Sequence, residues 1–83
     1  MAGYVYVFSN RSFKNCLKIG MTERSPYARA KELSNKTAVP TPFTVEFAVE
    51  CSNPGLLEKA VHKRLRGLRI EKNREFFRVD IYI

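Results

Sequence analysis

Residues 3–8 place Tyr4, Val5, Tyr6, Val7 and Phe8 behind Gly3, a β-branched and aromatic run that predicts a strand. Alternation puts Val5 and Val7 on one face of it and Tyr4, Tyr6 and Phe8 on the other. A polar turn, Ser9-Asn10-Arg11-Ser12, leads to a second predicted strand over 16–21, and so short a connection makes the two antiparallel neighbours. Ser25 followed by Pro26 reads as an N-cap with proline at the first helical position, and good helix formers continue to Leu33. Asn35 and the pair Pro40 and Pro42 close that helix. Over 43–51 the chain alternates again, and Phe43, Val45, Phe47, Val49 and Cys51 are expected on one side of a third strand. Asn53 and Pro54 repeat the cap-then-proline signal for a second helix, whose expected buried stripe is Leu57, Val61, Leu65 and Leu68. Glu58, His62, Arg66 and Arg69 flank that stripe. Residues 76–83 form a last extended piece. This order, β-β-α-β-α with a short extended C-terminal segment, predicts an α+β fold: a small antiparallel three-stranded sheet flanked by helices, in a single domain over 1–83.

Composition narrows the chemistry. At 83 residues with 45% hydrophobic content the chain holds one small core, too little for most large-cofactor enzymes. Lys and Arg number 15 against 8 Asp and Glu, a net charge of +7, and residues 59–78 carry much of the excess. A polyanionic partner follows, nucleic acid before a membrane surface. The early apolar run is too short for a signal or a membrane span, so a cytoplasmic protein with no membrane association is expected. Cys16 and Cys51 are too few and too far apart for a disulfide framework or a zinc cluster. Asp80 is the one aspartate and His62 the one histidine, which argues against a two-metal nuclease and against any mechanism needing two histidines. Gly20 belongs to no Gly-rich phosphate loop, so no nucleotide cofactor is expected.

Gly3-x-x-Tyr6 in the first strand, Lys18-Ile19-Gly20 in the second, an arginine in the first helix, a glutamate in the second and the late Arg74-Glu75-Phe76-Phe77 together resemble the GIY-YIG endonuclease superfamily. The likeness is to its phage-type and meiotically up-regulated branch, and it covers nearly the whole chain. It implies a metal-dependent DNA endonuclease of low sequence specificity, acting on single- or double-stranded DNA. Tyr6 matches the first-motif tyrosine, with Tyr4 a nearby alternative, and Gly20 matches the second-motif glycine. Arg29 takes the place of the family's catalytic arginine. Glu58 takes that of the carboxylate holding a single Mg2+ or Mn2+, and His62 that of a histidine recurring in this branch. Asn73 matches the late asparagine, or the match falls two residues on, at Glu75. Lys18 departs from the pattern by replacing the second-motif tyrosine. It becomes a candidate either to contact phosphate or to lower the pKa of Tyr6 by proximity. Lys18, Lys63, Arg66, Arg69, Asn73 and Arg74 are the candidate DNA contacts.

Each residue also has a plainer reading. Glu58 can be a solvated helix residue paired with Arg66 or His62, and Arg29 can pair with Glu32 or Ser25. Tyr4 and Tyr6 can be sheet-face aromatics, His62 a helix-surface residue, and Asn73 a turn residue. The alternative function is a non-catalytic nucleic-acid-binding module on the same fold.

Overall fold

A computed structural model describes residues 2–36, 39–70 and 75–79. Strand β1 (Gly3–Ser9) pairs antiparallel with β2 (Leu17–Thr22), then α1 (Pro26–Ser34), β3 (Thr44–Cys51) and α2 (Pro54–Arg64) follow. A 3-10 turn (Arg66–Leu68) and the two-residue β4 (Phe76–Phe77) complete the order. The sheet runs β3-β1-β2-β4 with every pairing antiparallel. It therefore has four strands where the sequence pattern predicts three. Phe76 and Phe77 pair with Lys18 and Leu17, a contact between segments so distant in sequence that periodicity carries no sign of it.

The caps act as their sequences suggest. The hydroxyl of Ser25 accepts from the Tyr27 amide at 3.2 Å, and the Asn53 side chain accepts from the Leu56 amide at 3.2 Å, each with proline next. Both helices thus start with an amide satisfied and no proline N–H to lose.

Two apolar clusters grip the sheet. On one face Val5, Val7, Leu17, Ile19 and Phe77 are buried under Leu57 and Val61 of α2 and Leu65 at its C-cap. On the other Tyr6 and Phe8 are buried with Ala30 of α1, and Leu33, Phe43 and Val45 pack against them. Here the structure corrects the expected single face of β3. The β1–β3 register shifts between Val7 and Phe8, which pair with Phe47 and Val45 respectively. Glu46 is the extra residue of this bulge, and it returns Val45 to the α1 face while Phe47 and Val49 stay on the α2 face. Leu68 also leaves its expected stripe. The α-helix ends at Arg64, and Leu68 sits 43% exposed in the 3-10 turn, where the helical spacing no longer applies.

Candidate active site

The α1 face of β1 and β2 brings the polar candidates together. Tyr6, 1% exposed and stacked on Phe8 with ring centroids 3.9 Å apart, lies directly opposite Gly20. A Cβ at Gly20 would fall 2.5 Å from the Tyr6 hydroxyl oxygen and 2.5 Å from Oε2 of Glu75. The phenol and the carboxylate therefore meet over Gly20, in space that only a residue without a side chain leaves free. The same Glu75 oxygen takes an ion pair from Nζ of Lys18 at 3.2 Å, and the Glu75 carbonyl accepts from the Ile19 amide at 2.9 Å. Lys18 also lies over the Phe76 ring, 5.3 Å from its centroid.

α1 contributes Arg29, whose guanidinium pairs with Glu32 at 3.3 Å and whose hydrogen-bonding and charge pull the Tyr6 hydroxyl pKa down against the larger effect of burial. Glu32 is held in addition by Arg24 at 2.7 Å, so the pairing expected of an ordinary helix arginine coexists with the pull on Tyr6. α2 contributes Glu58, which comes within hydrogen-bonding reach of Glu75. Its Oε2 is buried and has no hydrogen-bond partner among the described residues. Burial first, then the charge of Glu75, push the Glu58 carboxyl above its usual value, against the pull of His62 and Lys18. Two ionised carboxylates cannot bond each other; a shared proton or a shared cation resolves the contact.

His62 follows one turn later on α2. Its Nε2 lies 2.7 Å from the Ile19 carbonyl, and its ring packs on Phe77 with centroids 4.9 Å apart. A carbonyl can only accept, so Nε2 carries the proton and is committed to fastening α2 onto β2 beside Gly20.

Two sequence expectations change. The cation acting on the Tyr6 hydroxyl is Arg29, whereas Lys18 is tied to Glu75. Nor is the hydroxyl shifted down: burial first, and Glu75 next, raise its pKa above the usual tyrosine value, with Arg29 opposing them. The other residue that the matching understated is Glu75, which stands between Glu58, Lys18 and Tyr6. Its signals in the sequence were its place in the late Arg74-Glu75-Phe76-Phe77 motif and its standing as the alternative to Asn73. Tyr4 lies one step along the same face of β1, opposite Thr22 and Glu50. Lys63 and Arg66 are exposed, and Arg69 lies over the Phe77 ring at 5.8 Å. Asn73 and Arg74 lie outside the described residues.

These residues fit one hard cation. The available donors are carboxylate oxygens, one of them orphaned, as Mg2+ or Mn2+ prefers. Among the described residues no group of three or more His, Cys, Asp and Glu gathers, so water and substrate would fill the remaining positions. Among the same residues no helix is long and apolar enough to cross a membrane.

An α+β domain with one four-stranded antiparallel sheet thus brings Tyr6, Lys18 and Glu75 together at Gly20, with Arg29 of α1 and Glu58 of α2 acting on them electrostatically. The chain belongs to the T5orf172 domain family, whose model matches residues 3–82, a family of phage-associated, often endonuclease-like domains. No curated protein and no solved structure matches it.

Proposed function

We propose that the domain is a divalent-metal-dependent DNA endonuclease of the GIY-YIG type. The observation that carries this reading is the meeting of Tyr6 and Glu75 over Gly20, with Lys18 ion-paired to Glu75 and the charges of Arg29 and Glu58 acting on the same two groups. Phosphodiester hydrolysis needs an oriented water, charge neutralisation at phosphorus and help for the leaving oxygen.

Glu58 and Glu75 would hold the ion, which when bound supplies Lewis acidity toward a phosphate oxygen and toward water. Arg29 is suited to fork onto two phosphate oxygens, since guanidinium geometry matches them and stays charged at any working pH. The Tyr6 hydroxyl, fixed by ring stacking, orients the attacking water, and as it receives the water's proton its own phenol proton passes to the Glu75 carboxylate that meets it over Gly20. In the free protein that hydroxyl keeps its own proton, because Glu75 and burial both favour the neutral phenol. Neutralising Glu75 removes one of those two causes, and the Lys18 ammonium serves that end. Lys18 therefore acts on Tyr6 through Glu75, as a positioning residue. His62 keeps β2 and α2 in register beneath the site. The exposed Lys63 and Arg66 are suited to hold phosphates outside it.

Incubation of supercoiled plasmid and of single-stranded DNA with Mg2+ or Mn2+, with and without a chelator, tests this directly. Nicked or shortened product that disappears with chelator supports the endonuclease; retardation of intact DNA under all conditions supports a binding module instead. Arg29→Lys keeps the charge and loses the fork. Its turnover should fall by roughly two orders of magnitude while DNA affinity changes by less than about threefold. Equal losses in both would make Arg29 a binding residue only.

A further inference from the structure

The edge of the sheet farthest from β4 has a different chemistry from the rest of the molecule. In a chain of net charge +7 no lysine or arginine occurs between Lys36 and Lys59, whereas Glu46 and Glu50 both fall in this stretch, on β3. β3 is the outer strand, and among the described residues its only ladder is to β1. Its C-terminal half, Phe47 to Cys51, runs in regular register beyond the bulge. It holds neither proline nor lysine, the residues that usually keep an edge strand from pairing.

α2 covers β1 and β2 more fully than β3. Phe47 and Val49 are left 50% and 48% exposed, and they form one wall of an apolar groove of about 450 Å³ whose other wall is Leu57, Val61 and Leu65. On the opposite face of the strand Glu50 stands over Tyr4 and has no ion pair among the described residues. Glu46 receives a hydrogen bond from the Ser9 hydroxyl, which leaves its charge in place.

A polyanion gains nothing at this edge, so it is not part of a DNA-binding face. We propose that Phe47 to Cys51 is a docking edge for an extended segment of a partner protein that alternates apolar with lysine or arginine side chains. Such a segment adds as a fifth strand. Backbone groups of β3 supply its hydrogen bonds, its apolar side chains enter the groove beside Phe47 and Val49, and its cations fall on the other face, against Glu50. The charge pattern selects this occupant over a second copy of the chain. Two such edges would bring their glutamates together between molecules that each carry +7.

The probe is a blocked octapeptide of alternating valine and lysine, titrated into the 15N-labelled protein and followed by amide shifts. Saturable shifts over residues 44–51, with little change at Tyr6, Gly20 and Arg29, are expected. The matching valine–glutamate peptide should bind at least roughly tenfold more weakly. Glu50→Lys, at an exposed position, should reverse that preference, and Phe47→Ser should weaken both peptides while the remaining spectrum stays that of a folded protein. No response of β3 amides at millimolar peptide, equal response to the two peptides, or a concentration-dependent dimer broadening the β3 amides would each overturn the proposal.

Discussion

Glu58→Gln is expected to bring metal-dependent cleavage to background, a loss of at least about 10³-fold, while DNA affinity stays the same or rises slightly. The loss follows from removing one of two neighbouring carboxylates, the one whose buried oxygen has no hydrogen-bond partner among the described residues. Ion-assisted charge stabilisation is worth several kcal/mol, and 10³ corresponds to about 4 kcal/mol. Affinity is spared because the change deletes a negative charge facing a polyanion.

The same variant should be more stable than the natural protein, by roughly 1 kcal/mol, as a glutamine amide can donate to Glu75 where a carboxylate cannot. For a domain of this size that is a rise of about 4–8 °C in Tm. The pH dependence has a definite sign. Glu58 is shifted up in the folded state, by burial first and Glu75 second, so folding favours its protonated form. The natural protein therefore has its full stability below the ordinary glutamate value and loses it as pH rises through the raised one. The gap between variant and natural protein should open across that window and close below it. Mn2+ should raise Tm of the natural protein at neutral pH and leave Glu58→Gln unmoved. Cleavage surviving in the variant, or an equal Mn2+ response, would remove Glu58 from the metal site.

How much of this was legible in the sequence depends on the range of the interaction. The two helix starts were, since Ser25-Pro26 and Asn53-Pro54 are local signals that act within one turn. β1 and β2 were legible to within a residue at each end, because a short connection forces them to be neighbours. β3 was legible as a strand but not in its facing: strict alternation across Phe43, Val45, Phe47 and Val49 carries no mark of a bulge, and the extra residue at Glu46 is seen only in the pairing. β4 was legible as part of an extended piece over 76–83 but not as a member of the sheet, because its partner lies far back in the chain. Glu75 went with it. Its place beside Tyr6 and Lys18 depends on β4 pairing with β2, so motif spacing leaves both Asn73 and Glu75 open. Tyr6, Arg29 and Glu58 were marked by resemblance rather than by pattern, and each has a local environment that ordinary surface or core residues share. What distinguishes them is that Arg29 and Glu58, on separate helices, bring their charges to bear on the place where Tyr6 of β1 and Glu75 meet.

That place lies over Gly20, and filling it tests the whole arrangement. In Gly20→Ala the new methyl would lie 2.5 Å from the Tyr6 oxygen, 2.8 Å from Tyr6 Cζ and 2.5 Å from the Glu75 carboxylate. The carboxylate can swing away at the expense of its pairing with Lys18. The phenol cannot retreat, being buried and stacked on Phe8. The variant should lose about 1–3 kcal/mol of stability and at least about a hundredfold in cleavage, since displacing a reacting group by an ångström costs that much. Tyr6→Phe separates the two effects. Alone it should cut about 10²–10³-fold more slowly with nearly natural stability, because it removes a proton acceptor and leaves the stacked ring. Combined with Gly20→Ala it should recover part of the lost stability by vacating the space of the hydroxyl, yet recover no cleavage. Thermal unfolding and plasmid nicking of the two single variants and the double variant read both quantities. Gly20→Ala cutting at the natural rate with an unchanged Tm would mean that Tyr6 and Glu75 do not meet there.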